Sequence, residues 1–402
     1  MNRATSVVLI TNFCPPYRRP LFERLRTDPR WVRATVALEV RQERDRHWSE
    51  EELGRPDEWV FCVRLPRWAR HPEGRYRERR DLRIPIGLLP LLWRHRPQVI
   101  ISAELGIRSA LAVLWARLSR GAVVLWVCVT PETERGRNLL TQWWRRWLLQ
   151  GTRAIIVNGP AGEDYVRRVA PDARAVRAGA VFHVPYTVPN ERYWRGHLLV
   201  PEPGERLRLL VVGQLSGRKG IPELIAALSA TPDVLPKLDL LVAGDGPLRP
   251  ELERALAELA AQGLRSRMLG QVDWEKLPAV YGEAHALLFP TLEDEWGIVV
   301  NESMAAGLPV FASRYSGAAV ELVRPGQTGV LFDPSSEADF AATLRHMVAL
   351  PASELSAMGA RGREVVAAYT YDRAYAQMAK AVERALARET SAAPRRRLPQ
   401  GP

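Results

Sequence analysis

Apolar runs alternate with segments of helical period along almost the whole chain. In the first half the runs Val7–Thr11, Ala34–Leu38, Val99–Ser102, Val123–Val127 and Ala154–Val157 read as strands. In the second half Arg208–Val212, Asp239–Ala243, Met268–Leu269, Ala286–Phe289 and Val310–Ala312 read the same way, with Val330–Phe332 as a short addition. Strands separated by helical patterns predict an α/β fold of parallel sheets. The pattern predicts two Rossmann-like halves in succession, neither opening with G-x-G-x-x-G. At 402 residues two domains are also the expectation from length alone. Pro189, Pro201 and Pro203 interrupt regular structure and set a linker over 186–205. The first domain is therefore 1–185 and the second 206–370. A helix over about 371–388 follows, and the proline- and arginine-bearing tail 389–402 reads as disordered.

Charge changes this picture more than composition does. Residues 1–190 contain 33 Arg, no Lys and 19 Asp or Glu, a net +14, and the remainder of the chain is −2. The first half thus sets up a field that attracts polyanions or anionic lipid. Arg75–Arg80 reads as an exposed basic loop. Trp143-Trp144-Arg145-Arg146-Trp147 has two readings, an amphipathic helix resting on an anionic membrane face or a helix with a tryptophan core face. The three cysteines, Cys14, Cys62 and Cys128, lack metal-ligand spacing and imply no disulfide framework, which suits a reducing compartment. The opening apolar run is too short for a signal peptide, and Ile84–Trp93 falls short of the ~20 residues a spanning helix needs. The expectation is a cytoplasmic protein, with the inner membrane face as an optional docking surface. There is no nucleic-acid-binding motif, so no nucleic acid partner is expected.

Candidate chemistry is densest between Phe289 and Gly329. Asp294 and Glu302 flank a turn that Gly297 permits, and Ser316-Gly317-Ala318 offers backbone amides. Upstream, Gly213-Gln214-Leu215-Ser216-Gly217-Arg218-Lys219-Gly220 leads from a strand into a helix starting near Ile221-Pro222, where free amides, Arg218 and Lys219 suit a diphosphate. Carboxylates at both ends with phosphate binders between them suit a nucleotide sugar.

These segments resemble the donor-site signature of family 4 of the retaining glycosyltransferases, most strongly over 208–333 and more weakly over 1–185. The family pattern is Glu, seven residues, Glu, then Ala-Met-Ala-x-Gly-x-Pro. Here Asp294, Gly297 and Glu302 are followed by Ser303-Met304-Ala305-Ala306-Gly307-Leu308-Pro309. The first acid is Asp, with Glu295 beside it as an alternative, and Gln214 stands where Arg is usual. The resemblance implies the GT-B architecture, two Rossmann-like domains facing across a cleft, with the last helix crossing back onto the first domain. It implies a donor site of Gly213, Gln214, Arg218, Lys219, Gly270, Gln271, Val272, Asp294, Glu295, Trp296, Gly297, Ile298, Val299, Glu302, Ser316 and Gly317. In it Glu302 takes the ribose hydroxyls, Asp294 the sugar, and Lys219 the diphosphate.

For the acceptor side the resemblance points to Tyr17, Arg18 and Glu104. Glu132 is a catalytic candidate where the family commonly has His. The implied function is retaining transfer of a sugar to a glycan, polysaccharide or lipid-linked acceptor, with no metal and no other cofactor. The competing reading is a nucleotide-, polyanion- or lipid-binding protein without transferase activity.

Overall fold

The computed structural model describes residues 5–42, 48–70 and 74–387. The expected tail, 389–402, lies outside the described residues. Two parallel sheets form two domains. In the first, β1 (Ser6–Thr11), β2 (Arg33–Leu38) and β3 (Glu58–Trp59) come before an antiparallel ribbon of β4 (Val63–Arg70) and β5 (Arg77–Ile84). Then follow β6 (Val99–Ala103), β7 (Ala122–Val127), β8 (Ala154–Val157) and β9 (Val181–His183). The spatial order is β3-β2-β1-β6-β7-β8-β9, with the ribbon outside the sheet.

The second sheet consists of β10 (Leu207–Val212), β11 (Leu238–Ala243), β12 (Arg265–Gly270), β13 (Ala286–Phe289), β14 (Val310–Ser313) and β15 (Gly329–Phe332). Its order is β12-β11-β10-β13-β14-β15. Every described pairing within both sheets is parallel, for example Val7 opposite Ala34 and Leu209 opposite Ala286. The central strands β7, β8, β13 and β14 are buried along their whole length, as strands covered by helices on both faces must be.

The expected strands are all present, and the helix Tyr371–Leu386 packs on β8, β9 and the helix Arg19–Thr27 of the first domain. Its apolar stripe, Ala374, Met378, Ala379, Ala381, Val382 and Ala385, joins the first domain's core. The second domain's chain therefore ends by tying the two halves together. One expectation needs correction: residues 77–80 belong to β5 rather than to a loop. An unbroken run of charged residues, Arg77–Asp81, hid a strand whose partner is another strand outside the sheet rather than a core. The tryptophan helix, Leu139–Gln150, divides its rings: Trp144 and Trp147 pack on the core and stack with centroids 5.5 Å apart, whereas Trp143 is exposed.

Candidate active site in the interdomain cleft

In the second sheet the strand order reverses between β10 and β13. Ligands of open α/β sheets bind at the carboxyl ends of strands at such a point. Two loops leave from there. One follows Gly213 and enters the helix Ile221–Ser229, and the other follows Pro290 and enters the helix Ile298–Ala306. Each helix is preceded by a glycine in the left-handed region, Gly220 at φ 75° and Gly297 at φ 91°. A Cβ on Gly220 would lie 1.9 Å from the Pro290 carbonyl oxygen, so the loops meet only because that side chain is missing.

The contact joins the two motifs. Lys219 Nζ donates to the Asp294 carboxylate. Arg218 Nε donates to Glu78 Oε2 at 3.1 Å, and a second guanidinium N–H reaches the Glu293 carbonyl at 3.3 Å. Burial of Arg218 would lower its pKa, but Glu78 and then Asp294 outweigh that and raise it. Leu292 N–H and the Thr291 hydroxyl both return to the Arg218 carbonyl, at 2.9 and 3.2 Å, which fixes one loop on the other.

The two adjacent acids point different ways. Asp294 faces Lys219 and accepts the Trp296 amide at 3.2 Å, whereas Glu295 is exposed and lines the cleft. The cleft narrows there to a cavity of about 190 Å³ between the domains. Cys128, Thr130, Asn158 and Gly159 face Glu295, Trp296, Gly317 and Glu321 across it. The Asn158 side chain is 4% exposed. Its Oδ1 accepts from Trp126 Nε1 at 3.2 Å, while its Nδ2 has no hydrogen-bond partner. Sequence reasoning missed Asn158; the signal was its place immediately after β8, at a strand's carboxyl end. Burial pushes the Cys128 thiol up to about 11, so it is not a thiolate nucleophile near neutral pH.

Glu302 and the Ser316–Gly317 pair stand differently from expectation. Glu302 is 3% exposed, and its two oxygens accept from Tyr193 at 2.8 Å and Tyr281 at 2.6 Å. Burial raises its pKa against those two donors. In this geometry it is a buried anchor holding three elements together, not a carboxylate open to the cleft. Gly317 opens a helix, Gly317–Leu322, rather than extending a loop. Its amide donates to the Asp294 carbonyl at 3.2 Å, and the Ala318 amide donates to the Trp296 carbonyl at 2.6 Å. The Ser316 hydroxyl donates to that same Trp296 carbonyl at 2.6 Å and accepts the Ala319 amide at 3.4 Å. These donors hold the Asp294–Trp296 turn in place and are not presented to an anion.

Of the remaining donor positions, Gln214 Oε1 is buried without a partner, and Ile298 and Val299 open their helix half-buried. Gly270, in the left-handed region, ends β12 and accepts the Gly244 amide at 2.7 Å, while Gln271 is exposed and Val272 half-buried beyond it. In the first domain Arg18 and Glu104 follow β1 and β6, again the strands at which the order reverses. Arg18 is 7% exposed and lies over the rings of Trp126 (4.8 Å) and Tyr186 (4.5 Å), and it donates to the Tyr186 hydroxyl. Tyr17 packs on Tyr186, centroids 5.4 Å apart. Glu104 sits at φ 68°, a strained conformation for a non-glycine residue, with a carboxylate oxygen 3.4 Å from Arg108. Glu132 pairs with Arg135 at 2.6 Å and does not line the cavity. Among the described residues no group of three or more His, Cys, Asp or Glu is arranged to hold a metal ion.

Comparison with known proteins agrees with this layout. Residues 200–365 match the family model described as glycosyl transferases group 1. An alpha-D-kanosaminyltransferase of Streptomyces kanamyceticus is 26% identical over 210 residues, 51% of this chain and 53% of that one. A glycogen synthase of Mycobacterium tuberculosis is 34% identical over 146 residues, 36% of this chain and 34% of that one. The chain thus spans about half or less of the curated relatives it matches. Among solved structures, Anabaena Alr3699/HepE in complex with UDP superposes with a TM-score of 0.70 at 15% identity, covering 94% of this chain and 99% of that one. The chain has the GT-B fold, and it resembles the family 4 glycosyltransferases, most closely across its second domain.

Proposed function

We propose that the protein is a retaining glycosyltransferase that moves a sugar from a nucleotide-diphosphate donor to a glycan or lipid-linked acceptor. The observation that carries this reading is the Lys219–Asp294 contact, which brings both donor-site motifs to one point at the sheet's reversal. A diphosphate carries more charge than a carboxylate and competes with Asp294 and Glu78 for Lys219 and Arg218. Those two cations then stabilise the diphosphate as it departs. Glu295 faces the cavity and takes hydroxyls of the transferred sugar. The structural neighbour bound to UDP supports a nucleotide donor.

In the reaction the bond from the anomeric carbon to the phosphate oxygen breaks, and the bond to the acceptor oxygen forms on the same face. The acceptor's proton passes to the leaving diphosphate, a route that needs no protein base and so accommodates Thr130-Pro131-Glu132 in place of a histidine. The cavity of about 190 Å³ lies beside the Lys219–Asp294 contact and holds less than a whole nucleotide sugar, so the sugar end enters it and the nucleotide extends outside. The test is nucleotide release from UDP-, GDP-, ADP- and dTDP-sugars with acceptor pools, followed by NMR of the product's anomeric coupling. Release with retained configuration supports the proposal. An inverted product refutes retention, and nucleotide binding without turnover supports the binding-protein reading.

A further inference from the structure

The ribbon β4–β5 stands outside the first sheet and presents an apolar face to solvent. Its register sorts the two sides: Arg64 lies opposite Arg83, Val63 opposite Ile84, and Leu65 opposite Leu82. Arg83 turns inward toward the buried Glu39, at 3.9 Å. Val63, Leu65 and Leu82 therefore share the outer side, 41%, 45% and 37% exposed. The face extends to Phe61 before the ribbon and Ile86 after it, 69% and 52% exposed, tied by the Gly87 amide to the Phe61 carbonyl at 2.9 Å. Trp93, 67% exposed, stands on the next helix, its ring 6.0 Å from that of Trp115.

Around this patch the charge is one-sided. Residues 59–96 hold ten arginines against three acids; Arg67, on the same side of the ribbon as Leu65, is exposed, as are Arg94 and Arg96. An exposed apolar face of five side chains with a cationic border marks an interaction site. The same border sets the occupant, because a second copy would bring arginines against arginines. We propose that this face docks the protein on an anionic lipid surface. Aromatic and branched side chains enter the headgroup boundary, and the arginines meet lipid phosphates. No described helix is long and apolar enough to cross a membrane, so the contact is one of lying on the surface. The ribbon's far end carries Tyr76 and Glu78, which touch Glu293 and Arg218, so docking would fix the cleft's orientation to the lipid. The proposal does not depend on what the cleft catalyses.

Vesicle flotation of the full chain tests it, using phosphatidylcholine alone and phosphatidylcholine with phosphatidylglycerol. Binding is expected to the anionic vesicles only and to weaken with added salt. Phe61→Ser with Leu65→Ser should lower partitioning roughly tenfold, and Arg67→Gln with Arg96→Gln should do so by about tenfold or more. Both pairs lie on the surface and should leave the melting temperature unchanged. Equal binding to both vesicle types, no binding, or binding unaltered by the Phe61/Leu65 pair would overturn the proposal. Self-association lost in that pair would assign the face to a second copy and overturn it as well.

Discussion

At the residue scale the carboxylate of Glu302 shows how burial redirects a recognised acid. Tyr193 closes the short helix Asn190–Tyr193, Tyr281 closes the helix Leu277–Tyr281, and both hydroxyls converge on it. Replacing Glu302 by Ala leaves two buried hydroxyls without an acceptor and should cost about 2–4 kcal/mol of stability, measured by chemical denaturation. Glu302→Gln keeps an acceptor and should cost clearly less; equal losses would show that hydrogen bonding to the tyrosines contributes little. His285 gives a pH dependence. It is fully buried, its Nδ1 accepts the Arg208 amide at 3.0 Å, and burial together with the Arg208 guanidinium pushes its pKa down to about 4. The unfolded chain binds this proton near pH 6.5 and the folded one only near 4. The stability from a neutral His285 is thus complete above about pH 6.5 and lost as pH falls toward 4. Melting curves across that window should flatten in His285→Asn.

Among the elements, the ribbon β4–β5 and the residues just before β5 contact the Gly213–Gly220 loop and its neighbours from the opposite domain. Glu78 pairs with Arg218, the Tyr76 hydroxyl donates to Glu293, and Arg75 comes within 3.7 Å of Glu223 on the helix that follows the loop. Glu78→Gln removes a competitor for Arg218 and should tighten nucleoside diphosphate binding by roughly three- to tenfold, against a charge-assisted bond of about 1.5–3 kcal/mol. An unchanged affinity would mean Arg218 does not reach the phosphate. This element was the least legible in the sequence. Buried strands such as β7 and β13 announce themselves as unbroken apolar runs, and glycines such as Gly220 and Gly297 mark the turns between them. β4 and β5 pair only with each other and carry seven arginines in sixteen positions, so no apolar run records them. The site divides along the same line. Lys219 and Asp294, which the fold brings into contact, stood out as candidates because their motifs are local in sequence. Tyr193, Tyr281, Asn158 and Glu78 take their roles from distant segments, and only the folded arrangement brings them in.

On the scale of the whole molecule, the loops after β7 and β8 of the first domain face Glu295, Trp296 and Gly317 of the second across one cavity, and Tyr371–Leu386 anchors the second domain's end on the first. Aromatic contacts continue the connection, from Arg18 over Tyr186 to Trp296, with the last two rings 6.4 Å apart. The central claim is that the junction of Lys219 and Asp294 is the diphosphate site. Calorimetric titration of the intact protein with UDP, GDP, ADP and dTDP, each beside its monophosphate, tests it most directly, with Lys219→Met in parallel. One diphosphate should bind more tightly than its monophosphate, and Lys219→Met should weaken it about 10- to 100-fold, the share of one charge-assisted contact. Diphosphate binding left intact by Lys219→Met, or no binding of any of the four, would contradict it.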